Sequence, residues 1–433
     1  MNEQRNKMLK YAVLKSRDNH AFVHIVILLL SFDIFFGYLF SGNLSYVILA
    51  TSAISLFICV LISNEPISFN EIKISLLVIS FILIGCLSLF NSKFLETSIK
   101  TTISRSIILL IGIPLLKRPD YSSKVIKYIF IFSSIHAFST LFSYFLPDMF
   151  TNNVISNFPE SVKVAFISFS ARNVYSGITN QIGRNAYYIA VGFIIVFSYL
   201  VSGMKKRKYF AIAILLFLSA SMLITSKRGV LFAIIVSCFL LVTLDAQLKR
   251  KSISQRMIKL AVAMFLLFMM MVLLMPETAS PIVRFVAGAG GDITSGRAEL
   301  YLKAFEMFSE KPLTGSGTAV FNAEYGTGVH SMYFQLLAEN GIIGFTCFIL
   351  IITMNIKFAL TSARKAIDIY DFDLLKYLYF SLMFQIFFIL YALTENAMND
   401  GFVLLTYVVV ATIPYSIYIP LKQNTNSQRI IIN

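Results

Sequence analysis

Residues 72–90 read IKISLLVISFILIGCLSLF, an apolar run whose one charged residue, Lys73, stands near its start. Wound as a helix, such a run comes close to crossing the roughly 30 Å of a bilayer's hydrocarbon core. Comparable runs recur at about 21–41, 44–63, 101–116, 125–146, 186–203, 209–225, 229–245, 260–275, 332–356, 376–393 and 401–420. In lipid the backbone must satisfy its own polar groups, so these runs read as helices. The ~10-residue alternation of a membrane barrel is absent. Composition agrees: the 433 residues are 57% hydrophobic with a mean hydropathy of +0.76. The predicted fold class is all-α, a polytopic membrane helical bundle of about 12 transmembrane helices. It forms a single transmembrane domain over 1–433 with no soluble domain. Two long loops, 147–185 and 276–331, interrupt it.

A formal net charge of +15 invites a nucleic-acid partner, but the distribution of that charge argues for a membrane. Lys and Arg gather on alternate connections: MNEQRNKMLKYAVLKSR at 1–17, LKRPDYSSK at 116–124, KKRK at 205–208, KRKSISQR at 249–256 and the tail after Pro420. Basic residues mark cytoplasmic loops, so both termini are expected in the cytoplasm and both long loops on the periplasmic side. The basic clusters then contact membrane lipids, and no nucleic acid is implied. No cleavage site follows the first run, which reads as a retained helix. Richness in Ile, Lys, Asn and Ser suits a bacterium, whose inner membrane is then the expected location. The four cysteines show no paired spacing and read as small buried residues, with neither disulfide nor metal implied.

Polar chemistry is concentrated in the second long loop, in SGRAELYLKAFEMFSEKPLTGSG from Ser295 to Gly317. Glu299, Lys303, Glu306 and Glu310 recur at helical intervals, and Ala298, Tyr301, Phe305 and Phe308 follow on another face. The reading is an amphipathic surface helix over about 296–310, aromatic face inward, with Thr294 or Ser295 as N-cap. Arg297 falls in its first turn, where free N–H groups and the helix dipole favour an anion such as a diphosphate. The alternative is a solvated arginine, or one paired with Glu299. Arg228 lies in LITSKRGVLFA, in the shortest break between two spans, and its neighbour Lys227 reads as an interfacial snorkelling residue. His330 opens HSMYFQLLAENGIIGF, and imidazole can take a proton from a sugar hydroxyl near neutral pH. Glu339 is an intramembrane carboxylate, a functional candidate on that ground. Gly341 and Gly344 read as helix-packing contacts.

The first long loop ends in SGITNQIGRNAYYIA, where Arg184 and Asn185 precede a span and suit recognition of sugar and phosphate. Asp33, His24 and His136 lie within spans and read as structurally paired. The glycine-rich GAGGD (288–292) and GSGTAVF (315–321) lack the context of a phosphate-binding loop. No cluster has metal-ligand spacing, no serine elbow is present, and no cofactor is implied.

Taken in order, SKRG between two spans, an arginine opening a loop helix, KPLTGSGTAVF and then HSMYFQLLAENGIIGF resemble the bacterial O-antigen ligase/polymerase superfamily. Members show a Ser-Arg-Gly-like turn, an arginine-led helix followed by Pro-x-x-Gly-x-Gly in a large periplasmic loop, and a His-Asn motif with Gly-x-x-Gly downstream. The likeness covers roughly 170–345. Ser331 stands where the family has Asn, and Lys227 interrupts the usual Ser-Arg pair. The resemblance implies metal-independent, inverting glycosyl transfer at the periplasmic membrane face. The donor would be an undecaprenyl-diphosphate-linked oligosaccharide. His330 would deprotonate the attacking hydroxyl, and Arg228 and Arg297 would hold the diphosphate. Arg184, Asn185 and Glu339 would bind substrate.

Polymerisation of O-antigen repeat units is the leading expectation. The alternative is an O-antigen ligase that hands the glycan to lipid A core. A flippase or other transporter of lipid-linked sugars is a rival of a different class, but the two halves of the chain show no internal symmetry. A chain-length regulator and a flippase are partners expected by analogy alone.

Overall fold

The computed structural model describes residues 20–40, 42–62, 68–117, 121–204, 207–249 and 297–417. Within these residues the apolar runs form helices. They are α1 (His20–Phe36), α2 (Gly42–Ile62), α3 (Phe69–Ser88), α4 (Leu95–Leu115) and α5 (Tyr121–Phe145). After a long connection come α8 (Ile182–Ser202), α9 (Lys208–Ile224) and α10 (Arg228–Leu248). The last long helices are α13 (Met332–Asp368), α14 (Phe372–Tyr391) and α15 (Gly401–Ala411). Among the described residues, 7 helices are long and apolar enough to cross a membrane: α3, α4, α5, α8, α10, α13 and α14. Shorter apolar helices occupy His24–Leu39, Leu44–Ile58, Lys208–Ile224 and Gly401–Ile417. The expected span at 260–275, the GAGGD stretch and the N-cap candidates Thr294 and Ser295 lie outside the described residues.

Helix starts follow local chemistry. Ser68 and Glu71 form a reciprocal capping box before α3, at 3.3 and 3.1 Å. Asp371 caps α14, and Asp400 caps α15 by accepting from the N–H groups of Phe402 and Val403. At the centre stands α8, buried almost all round from Asn185 to Ile194 and packed against α5, α9, α10 and α14. A helix apolar on every face belongs inside a bundle. At Gly192 an added Cβ would come within 2.6 Å of the Ser133 Cβ, so α5 and α8 approach closely through a small residue. Outward faces remain apolar: Leu76, Leu83 and Phe138 are each more than half exposed, as lipid contact requires.

The structure corrects several expectations. The connection at 147–185 carries two helices of its own, α6 (Pro147–Asn153) and α7 (Glu160–Ser170), and α8 already begins at Ile182. Arg184 and Asn185 therefore sit within its first turn. Cys238 and Cys347 are buried, but Cys86 is exposed on α3. An apolar run must turn one face to lipid, so apolarity alone does not place a residue inside. The loop helix is α11 (Arg297–Glu310), and its inward face is Ala304 and Met307 with Leu300 and Tyr301 beside them. Phe305 is 55% exposed and Leu302 64%, so the inward stripe is rotated from the one expected. Tyr301 stacks on Phe334 with ring centroids 4.8 Å apart, fastening α11 to α13.

The long helix α13 is interrupted at Gly341, which has φ 64° and ψ −172°. The glycine-rich segment before the short helix α12 (Val320–Tyr325) lies against this break. Ser316 donates to Ala338 O at 2.9 Å and Gly317 to Glu339 O at 3.0 Å. In return Ile342 donates to Pro312 O at 2.9 Å and Ile343 to Leu313 O at 3.3 Å. A Cβ on Gly315 would fall 2.3 Å from the Glu339 carbonyl carbon, and one on Gly341 would fall 2.3 Å from Leu313 O. Gly341→Ala is expected to cost about 1–3 kcal/mol for the left-handed backbone alone, and more for the overlap. The check is the unfolding temperature of the detergent-purified protein; an unchanged value would show that the two segments do not depend on each other.

Candidate active site

The site is assembled where five segments meet at one end of the bundle. They are the turn before α10, the first turns of α8 and α11, the loop leading into α13, and the stretch TENAMND (394–400) between α14 and α15. The turn is held by Thr225, whose hydroxyl donates to Met222 O at 2.7 Å, and by Ser226, which takes a positive φ of 54°. Gly229 lets the turn sit against Thr394; an added Cβ would approach the Thr394 hydroxyl to 2.8 Å.

Arg228 is the first residue of α10 and is exposed. Lys227, expected to snorkel, instead turns into the site. Its side chain runs over Gly183, and its Nζ lies 2.6 Å from Glu395 Oε1. The contact is an ion pair without hydrogen-bond alignment, since the same Oε1 has no hydrogen-bond partner by geometry. The inserted lysine that departs from the family pattern is thus the cation that meets the acidic loop.

His330 is pinned by its backbone. Its N–H donates to Asn396 Oδ1 at 2.7 Å, its carbonyl accepts from the Tyr301 hydroxyl at 3.4 Å, and its φ is 59°. Gly328 makes room for Asn396, whose Nδ2 would lie 1.9 Å from an added Cβ. A non-glycine residue held at positive φ is a conformation found disproportionately at functional sites. The imidazole Nδ1 is buried and has no hydrogen-bond partner. Partial burial holds the imidazole below its usual pKa, the charges of Arg297 and Lys227 push it further down, and Glu395 opposes them. These effects favour the neutral imidazole, the form that can accept a proton.

Arg297 opens α11 and is partly buried. Glu299 is engaged by Lys303 at 2.6 Å, which disfavours the pairing of Arg297 with Glu299 that the sequence left open. Arg184 bonds Asp400 Oδ2 through Nε and Nη2 at 3.3 and 3.2 Å, and Asn180 Oδ1 through Nη1 at 3.1 Å. Asn185 turns the other way: it is fully buried and donates to Thr140 of α5 at 2.7 Å. Glu339 is also fully buried. Its Oε1 accepts from Gln335 at 3.1 Å, and its Oε2 lies 3.7 Å from Arg105 Nη2, close enough for charge attraction and too far for a hydrogen bond. Arg105 in turn donates to Asn340 at 3.3 Å and to Asn399 at 2.8 Å. Asp33 accepts from Ser45 at 2.7 Å, and His136 Nε2 lies 3.1 Å from Phe35 O, as structural pairing requires.

The structure thus gathers His330, Arg297 and the Lys227–Arg228 turn at one end, and separates Asn185 from them. Sequence reasoning missed Arg105, Glu395, Asn396, Asn399 and Asp400. A signal was there: an arginine inside an apolar run, and an amide- and acid-rich break between the last two spans.

One end of this helical bundle thus joins His330 to the cations Arg297, Arg228 and Lys227. Residues 212–349 match the sequence family described as O-Antigen ligase, which supports the resemblance to the O-antigen ligase/polymerase superfamily. The matched stretch takes in Lys227, Arg228, Arg297, His330 and Glu339, and leaves out Arg105 and 394–400. A comparison with curated proteins returned no match.

The lowered pKa of His330 is testable without any substrate. Diethyl pyrocarbonate modifies unprotonated imidazole, so its rate at His330, read by peptide mass spectrometry, should hold up below the ordinary histidine value of about 6.5. Removing a nearby cation favours the protonated ring, so Arg297→Ala should move the acid midpoint upward. Glu395→Gln removes an anion and should move it downward. The opposite order would overturn the assigned electrostatics.

Proposed function

We propose that the protein is a membrane glycosyltransferase that uses a lipid-linked diphosphate saccharide as donor and a sugar hydroxyl as acceptor. The observation that carries this reading is His330: a partly buried imidazole with a buried, unpartnered Nδ1, its backbone fixed by Asn396 and its pKa lowered by burial and by the neighbouring Arg297 and Lys227. The donor is an undecaprenyl-diphosphate-linked oligosaccharide, and the reaction polymerises O-antigen repeat units on the periplasmic face of the bacterial inner membrane.

In this mechanism His330 takes the proton of the acceptor hydroxyl as its oxygen attacks the anomeric carbon. The bond from that carbon to the diphosphate oxygen breaks, and its electron pair leaves with the diphosphate. Attack from the face opposite the leaving group inverts the anomeric carbon. Arg297, Arg228 and Lys227 meet the charge that builds on the diphosphate, where fixed cations stabilise a transition state more than a ground state. These cations are the charge clamp of the proposed mechanism. Glu395 has a second role here, since it holds Lys227 in place while limiting how far His330 is driven from protonation.

One observation favours a second reading. The family matched by residues 212–349 is described as a ligase, which would transfer the glycan to lipid A core.

The test is a lipopolysaccharide gel from cells lacking the gene, then complemented with variants. A single repeat unit on the core with loss of the ladder marks a polymerase. Bare core with long glycan left on the carrier lipid marks a ligase. His330→Ala and Arg297→Ala should each abolish glycan assembly, at least a hundredfold in rate, with the protein still present in the membrane. Activity should persist in EDTA. A normal ladder from both variants would remove His330 and Arg297 from the mechanism.

A further inference from the structure

A cavity of about 400 Å³ opens beside the site, walled by α1, α2, α4, α8 and the start of α15. Its volume falls in the ~300–1,000 Å³ range of small-molecule sites. The same 394–400 stretch joins the two regions. Its first half, Glu395 and Asn396, holds the Lys227 and His330 side, while Asn399 forms part of the cavity wall and Asp400 anchors Arg184 there. The cavity wall is chemically unlike the His330 side. Its two cations are already compensated: Arg105 faces Glu339, and Arg184 is bonded to Asp400. Asp33 adds a further carboxylate. No surplus positive charge remains to draw in a diphosphate.

What the wall does offer is unsatisfied hydrogen bonding of both kinds. Asp33 Oδ2 is buried without a partner and can accept, and Asn399 Nδ2 and Arg105 Nε are buried without partners and can donate. Asn399 has its oxygen occupied by Arg105, so only its NH₂ remains to offer. Buried polar atoms without partners are costly, and a ligand that both accepts and donates relieves that cost. Ring faces are present too. Tyr46 and Phe402 line the cavity, and the Arg184 guanidinium sits 5.0 Å from the Phe402 ring.

We propose that this cavity is a binding site for an uncharged, polyhydroxylated saccharide, the sugar portion of a substrate whose diphosphate lies on the His330 side. Hydroxyl groups both donate and accept, matching the set Asp33, Asn399 and Arg105, and the apolar face of a sugar ring packs on Tyr46 and Phe402. The inference rests on the glycosyl-transfer reading for the identity of the substrate, and on the cavity alone for its chemistry.

The full chain contains no tryptophan, so Tyr46→Trp places a sole fluorescent reporter in the wall. The variant, purified in detergent, is titrated with the oligosaccharide released by mild acid from the cells' own lipid-linked glycan. Undecaprenyl diphosphate is titrated in parallel, its binding followed by a rise in unfolding temperature that Arg297→Ala removes. The saccharide should change Trp fluorescence saturably, and Asp33→Asn and Asn399→Ala should each raise the half-saturating concentration at least fivefold. Undecaprenyl diphosphate should leave the fluorescence unchanged. Phe402→Trp gives a second reporter should Tyr46→Trp fold poorly. No saturable response to the saccharide from either reporter overturns the proposal, and so does an equal response to the diphosphate. If the saccharide binds as expected but the diphosphate gives no Arg297-dependent rise, the cavity stands and the glycosyl-transfer reading falls.

Discussion

A helix within a membrane cannot leave its backbone unpaired, because lipid offers no replacement for a lost hydrogen bond. The break at Gly341 is therefore the feature on which the site depends. It would leave the carbonyls of Ala338 and Glu339 and the N–H groups of Ile342 and Ile343 without their helical partners, were the 312–317 segment not lying alongside. That segment supplies two donors and two acceptors in register. The exchange has a geometric consequence. It fixes the path of the loop between α11 and α13, and with it the position of His330. The far side of the segment is secured as well, since Asn91 donates to Thr314 Oγ1 at 2.8 Å and to Gly315 O at 2.9 Å.

The same break turns Glu339 and Asn340 toward α4, where Arg105 waits. An isolated arginine at this depth would be costly, and so would an isolated glutamate. Together they compensate one another, with Asn340 and Asn399 satisfying guanidinium N–H groups that Glu339 does not reach. Glu339 is thus a residue that holds α4, α13 and the 394–400 stretch in mutual register. Fully buried, it touches Arg105 directly and is linked through Arg105 to Asn399 in the cavity wall.

The helical class was legible in the sequence because hydrophobic length is a local property, although among the described residues 7 helices, of about 12 expected, are long and apolar enough to cross a membrane. His330 and Arg297 were legible because each stands at a helix entry next to recognisable punctuation. The orientation of α11 was not. Leu300, Tyr301, Leu302, Ala304, Phe305, Met307 and Phe308 offer overlapping apolar stripes, and which one turns inward is decided by Phe334 and by the small cluster beneath it. Nor was the compensation of charge. Arg105 meets Asn399 across 294 residues and Arg184 meets Asp400 across 216, distances over which composition and spacing carry no information. The role of PLTGSG (312–317) needed the broken helix to be seen.

The 394–400 stretch divides this end of the protein by charge. On one side Arg297, Arg228 and Lys227 are answered by Glu395; on the other, Arg105 and Arg184 are matched against Glu339, Asp400 and Asp33. A substrate that is anionic at one end and neutral at the other meets two unequal environments. Reversing it would place a diphosphate among carboxylates that already hold their arginines, and would leave the cations around His330 facing hydroxyl groups. Attraction and repulsion then favour the same orientation, because like-charge contact in a poorly solvated site is costly. On the proposed function, this asymmetry brings the anomeric carbon toward His330 through charge, and the shape of the cavity has only to admit the sugar.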